Sequence, residues 1–142
     1  MSVENVVLLN KEKMITAQEW AKAIKASGFD AELEIDFDPL TVDGFVKCSY
    51  KGKKGGFECY FDEIDISELD ASDLKIVGDR KNAIVLITYN DYCQYITSVI
   101  AAGVLCEKVD GLMLDGGEMP FILSDESVKW VKDCEIEIAA NL

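Results

Sequence analysis

Apolar and polar positions alternate strictly along residues 30–38, DAELEIDFD. Ala31, Leu33, Ile35 and Phe37 take the odd positions, and Asp30, Glu32, Glu34, Asp36 and Asp38 the even ones. Side chains on a strand point to alternate faces, so the pattern predicts a strand with five carboxylates on one side. Successive acids there stand about 7 Å apart. Each such pair repels by roughly 0.6 kcal/mol in a water-like dielectric and about 2 kcal/mol at an effective dielectric near 20. Two further alternating runs, GFVKCSY (44–50) and GFECYF (56–61), flank the turn KGKKG. With Tyr50 opposite Phe57, Cys48 opposite Cys59 and Val46 opposite Phe61, one register sorts the apolar residues to one side. Lys47, Ser49, Glu58 and Tyr60 fall on the other. The acidic strand joins the same sheet with Phe37 opposite Val46 and Ile35 opposite Cys48. This three-strand meander shows its acids on the polar face, with Lys47 near Asp36 and Tyr60 further across.

Other segments carry helical spacing or continuous apolar runs. Thr16-Ala17-Gln18-Glu19 has capping-box spacing, which predicts a helix over 17–27 with Gly28 as its left-handed stop. Residues 91–108, capped by Asn90 or Asp91, place Tyr92, Ile96, Val99, Ile100, Gly103 and Val104 on one stripe. Ala101-Ala102-Gly103 allow a close helix neighbour. Ser124 is placed to cap a last helix, with Asp125 and Glu126 in its first turn. NAIVLITY (82–89) reads as a buried strand. GLML (111–114), the Asp115-Gly116 turn and MPFIL (119–123) read as a hairpin with Pro120 on an edge. Residues 6–9, VVLL, form a short strand or a packed arm, and 62–73 a loop or short helical turn. The expected fold is therefore α+β: one domain over 1–142, a single mixed or antiparallel sheet of about six strands, and three helices packed on one face.

Charge changes this picture. The chain carries a formal net charge of −13. Residues 30–79 hold 14 acids against five lysines, so about a third of the chain supplies most of the excess. Such a field repels nucleic acid and anionic membranes and attracts basic partners. There is no histidine, and Arg80 is the only arginine. The commonest general base and metal ligand is thus missing, which disfavours Ser-His-Asp triads, Cys–His pairs and zinc hydrolase sites. The five cysteines are odd in number and form no C-x-x-C, so reduced, buried thiols are expected rather than a disulfide framework or zinc site. No apolar run approaches 18 residues, and MSVENVVLLNKEK lacks the basic lead-in and apolar stretch of a signal peptide; a cytoplasmic protein is expected.

The candidate chemistry centres on the acids. They form either a solvated sheet face or a docking surface for a basic partner, such as a nuclease whose site grips phosphates. A carboxylate about every 7 Å comes close to the phosphate repeat of a single strand. The candidate partner-binding residues are Glu32, Glu34, Asp36, Asp38, Tyr60, Asp62, Glu63 and Asp65. Asp36-x-Asp38 followed by Asp43-Gly44 misses the twelve-residue calcium-loop spacing. KGKKGG (51–56) misses the phosphate-loop spacing and reads as a lysine-bearing hairpin tip. No catalytic set, metal or cofactor is assigned.

The order "GFDAELEIDFDPLTVDGFVKCSYKGKKGGFECYF", then a buried strand, then "ITSVIAAGVLCEKVDGLMLDGGE", resembles small bacterial immunity proteins. These are the antidotes encoded beside contact-dependent inhibition and related polymorphic toxins. The resemblance is one of layout, size and acidity over roughly residues 18–120. It implies a non-enzymatic protein that binds and blocks one cognate toxin domain, often a nuclease, and it carries over no fixed functional residues. Two other readings stand beside it: an acidic oligomerisation or scaffold module, and a small carboxylate-based enzyme.

Overall fold

The computed structural model describes residues 2–142. In chain order its elements are β1 (Ser2–Leu9), α1 (Ala17–Ala26), β2 (Ala31–Leu33), β3 (Asp43–Val46), β4 (Cys48–Tyr50), β5 (Lys53–Lys54) and β6 (Phe57–Glu63). They continue with α2 (Ala71–Val77), β7 (Asn82–Tyr89), α3 (Tyr92–Lys108), β8 (Leu112–Asp115), β9 (Glu118–Leu123) and α4 (Ser127–Ala139). Six strands form an antiparallel sheet in the order β3-β6-β7-β1-β8-β9, and β2-β4-β5 form a smaller second sheet. The α+β class with a six-stranded sheet is as expected.

Strand parity decides which side of the large sheet is filled. Val7 and Leu9 of β1, Ile84 and Leu86 of β7, Phe57 and Cys59 of β6 and Met113 of β8 share one face and are fully buried. Against this inner face lies α3, buried without a break from Ile96 to Cys106. A helix that is apolar on all sides must be surrounded. Here the sheet lies beneath it, α1 and α4 flank it, and the small sheet closes its remaining side. The capping box on α1 is present: the Thr16 amide donates to Glu19 Oε1 at 3.0 Å, and the Glu19 amide to Thr16 Oγ1 at 3.1 Å. Asp91, not Asn90, caps α3, accepting from the Gln94 amide at 2.9 Å. Pro120 sits on edge strand β9, as expected.

The crossing of α3 and α4 needs a residue without a side chain. A Cβ at Gly103 would stand 2.1 Å from Val131 Cγ2. Ser127 Oγ donates to the Gly103 carbonyl at 2.8 Å and pins the two helices there. Gly103→Ala would gain helix propensity in an open helix. In this crossing it is expected to lower stability by about 1–3 kcal/mol through overpacking. Urea unfolding monitored by circular dichroism checks this, and an unchanged or raised midpoint would contradict the crossing geometry.

Four expectations are corrected. First, the acidic strand stops at Leu33, and residues 34–38 bend away instead of continuing the ladder. Glu34 makes the last backbone bond, its amide donating to the Lys47 carbonyl at 3.0 Å, and its carboxylate accepts the Lys47 amide at 2.7 Å in place of a carbonyl. Ile35 is left 45% exposed. Phe37 returns to the core edge-on to Trp20, with ring centroids 6.0 Å apart, and Asp38 accepts the Leu40 amide in the following turn. Second, residues 43–50 do not form one strand. They break at Lys47 into β3, which pairs with β6 in the large sheet, and β4, which pairs with β2 and β5 in the small one.

That break moves the registers. Val46 faces Phe57 rather than Phe61, and Leu33 faces Cys48 rather than Phe37 facing Val46. Both shifts are by an even number of residues, so Val46, Cys48, Tyr50, Phe57 and Cys59 still point inward and are buried. The reason lies at Gly55. A Cβ there would meet Cys93 O at 2.8 Å and Cys48 O at 2.9 Å. The chain therefore crosses from one sheet to the other with its backbone against the first turn of α3, and the Gly56 amide donates to Thr97 Oγ1 at 2.9 Å. Gly55 and Gly56 serve this crossing, while Gly52 lies with exposed Lys51, Lys53 and Lys54 around the tip.

Third, α4 starts at Ser127 rather than after Ser124, and no side chain caps it. The Ser127 hydroxyl is drawn inward to Gly103, while Ser124 Oγ donates to Asp110 Oδ1 at 3.2 Å. Fourth, a further helix is present: α2 follows a short 3-10 turn at Ile66–Glu68. It lies on the outer face of the large sheet, where Val77 packs with Leu8, Ala83 and Leu112, and with Ile64 and Leu69 of the preceding segment.

Candidate functional site

The structure divides the expected binding residues among separate places. Glu32 is exposed on the small sheet and pairs with Lys25 at 3.4 Å. Glu34 and Asp38 are committed to backbone amides, and Asp36 is exposed in the bend between them. Asp65 caps the 3-10 turn, accepting from the Ser67 amide at 3.0 Å and the Ser67 hydroxyl at 2.6 Å. These bonds hold its carboxyl below the ordinary aspartate range. Tyr60 and Asp62 stand on the outer face of the large sheet, and Glu63 has the opposite parity at the end of β6. The row of five aligned carboxylates does not form, and Tyr60 shares no sheet with Glu32, Glu34, Asp36 or Asp38.

What does come together is a patch on the outer face, above the part that α2 covers. One row crosses four strands: Phe45 faces Glu58, Glu58 faces Ile87, and Ile87 faces Glu4. The adjacent row runs Asp43, Tyr60, Val85 and Val6. Tyr89 lies two residues beyond Ile87 on the same face. Phe45 is 52% exposed and Tyr89 49%, while Tyr60, Val85 and Ile87 are half-buried. Large aromatics so open on one sheet face are more informative than scattered surface leucines, because Phe45 and Tyr89 flank the Glu58–Tyr60 strand from its two sides. Asp43, Glu4 and Asp62 are exposed around them.

Glu58 is the polar centre of the patch. The Tyr60 hydroxyl donates to its carboxylate in a short hydrogen bond. The Tyr89 phenol on β7 is the second influence on that carboxylate. These phenols, Tyr60 first, hold the Glu58 carboxyl below the usual glutamate range, and the bond to Glu58 pushes the Tyr60 phenol up to about 12. The group is thus an anion at neutral pH, fixed in orientation and set among aromatic rings.

Elsewhere the chemistry is weaker. Burial pushes the thiols of Cys48, Cys59 and Cys106 up to about 12, opposite to what an activated nucleophile needs. Among the described residues no three His, Cys, Asp or Glu side chains converge on a metal-sized site. Four acids, Asp115, Glu118, Glu126 and Asp133, line a groove of about 720 Å³ between β9 and α4, with Lys129 among them. Asp115 is raised by its own burial and then by Glu118, its cross-strand partner beside the turn. Partial burial, with a like-charged cross-strand neighbour second, accounts for this without a reaction. Among the described residues no helix is long and apolar enough to cross a membrane.

Phe45, Glu58, Ile87 and Tyr89 were not singled out by the sequence pattern. A signal existed for one of them: Glu58 alternates with buried Cys59 and so shares a face with the expected Tyr60. Ile87 and Tyr89 were hidden inside a continuous apolar run. Comparison with protein families, with curated proteins and with solved structures finds no match to this chain.

Proposed function

We propose that the protein is a non-enzymatic binding protein that docks a basic protein partner on the outer face of its large sheet. The partner is a toxin domain, nuclease-like in its positive charge, which this chain neutralises as a cytoplasmic immunity protein. One observation carries the docking reading: open aromatics at neighbouring positions around a hydrogen-bonded carboxylate, on a stretch of the outer sheet face that stays open to solvent. Interfaces favour such aromatic anchors at the centre with charge at the rim. The net charge of −13 supports a positive partner and gives it an electrostatic lead-in. A second copy of this chain would bring two acidic rims together, so charge favours a heteromeric partner over self-association. The toxin identity rests on the resemblance in layout and acidity to immunity proteins.

The test is co-expression in a sensitive host with the toxin domain encoded beside this gene. Growth should be restored, and a complex of the two chains should copurify. Undiminished toxicity with no copurifying complex would overturn the immunity reading.

A further inference from the structure

We propose that the Glu58 carboxylate, framed by Phe45, Tyr60 and Tyr89, is the seat of an arginine side chain of the basic partner. This rests on the docking face proposed above and names the chemistry at its centre. A carboxylate offers about four lone-pair positions. Tyr60 takes one, on Oε1, and no other hydrogen bond to this carboxylate is present among the described residues, which leaves acceptor capacity free. Two adjacent acceptors match the planar fork of a guanidinium better than the point charge of an ammonium.

The surroundings favour the same group. Phe45 faces Glu58 on one side and Ile87 on the other, Tyr60 follows two residues along β6, and Tyr89 stands diagonally across on β7. Guanidinium planes stack on aromatic faces and gain a cation–π attraction there, while an ammonium is more strongly hydrated. This chain does not fill the seat with a cation of its own. The ion pairs among the described residues are Lys13–Asp110, Lys25–Glu32 and Arg80–Asp110, none at Glu58. The phenols that orient the carboxylate also keep it ionised at neutral pH, with Tyr60 the larger influence.

The probe is a pair of blocked tripeptides, Gly-Arg-Gly and Gly-Lys-Gly, titrated into the full-length protein at matched ionic strength and followed by amide NMR shifts. The arginine peptide should move the amides of Phe45, Glu58, Tyr60, Ile87 and Tyr89. It should bind about three- to fivefold more tightly than the lysine peptide, the size of an exposed cation–π contact. Glu58→Gln, which keeps the shape, should abolish that preference, and Tyr89→Phe, which keeps the ring, should weaken it. The unperturbed spectrum elsewhere reports that each variant is folded. Equal affinity for the two peptides, shifts centred on residues 30–38, or a preference that survives in Glu58→Gln would overturn the seat. The two proposals fail separately. No arginine preference beside intact toxin rescue removes the seat alone, and absent rescue beside a clear preference removes the immunity reading alone.

Discussion

Replacing Trp20 by alanine is expected to lower the unfolding free energy by about 3–5 kcal/mol, the range for deleting a large buried aromatic. Trp20 is among the largest fully buried side chains of the core. Its indole Nε1 donates to the Ala101 carbonyl of α3 at 3.0 Å, which ties α1 to the central helix. Its ring also receives Phe37, the residue that brings the bent segment after β2 back to the core. One truncation therefore opens a cavity, removes a buried hydrogen bond and releases residues 34–38. A domain of this size has a total stability of about 5–15 kcal/mol, so the loss is a large share of it. Trp20→Phe keeps most of the apolar contact but not the bond, and should cost clearly less. Urea unfolding of the three proteins is the measurement. A loss below about 1 kcal/mol for Trp20→Ala would mean that the α1–α3 packing is not as described.

The second large effect lies on the outer face. Once the partner is in hand, Tyr60→Ala and Phe45→Ala should each weaken the complex by about 2 kcal/mol or more, roughly 30-fold in Kd, as central aromatic anchors do. Glu58→Lys should cost at least as much, because it sets a cation against a cation where an anion was held ready. The loss should appear mainly in the dissociation rate. Charge reversal at Glu34 and Asp36 is the contrasting case. These residues add to the long-range field but lie on the small sheet side, so their reversal should slow association at low salt, and the effect should shrink as salt is raised. Surface plasmon resonance at two ionic strengths separates the two behaviours. Phe45 and Tyr60 are open or half-buried on the solvent side, so thermal stability should change little in the anchor variants. If the anchor variants bind like the wild type while the Glu34/Asp36 reversal abolishes binding, the docking face is on the wrong side of the molecule.

Much of the fold was legible because it is set by local physics. The Thr16–Glu19 capping box, the apolar strand 82–89, the long helix after Asp91 and the Pro120 edge strand all follow from short-range rules, and each is found. The sheet registers were legible only in parity. Which residues point inward follows from alternation along one strand, but which pairs face one another depends on where the chain crosses α3. That crossing is set by Gly55 against the carbonyls of Cys48 and Cys93, a contact between segments some 40 residues apart that no local pattern announces. The acidic alternation of 30–38 misled for a related reason. Alternation permits a strand but does not supply one, and β4 offers only three residues to pair with. The docking face was the least legible. Its residues come from β1, β3, β6 and β7, and only the Glu58–Tyr60 alternation hinted that part of it would share a side.

The most direct test of the outer-face assignment is hydrogen–deuterium exchange of this protein free and in complex with the proposed basic partner. Binding should slow exchange in 43–46, 57–62 and 85–89, with little change in 30–38 and 51–56. Slowed exchange confined to 30–38 or the lysine-bearing 51–56 tip, with β3, β6 and β7 unchanged, would contradict it.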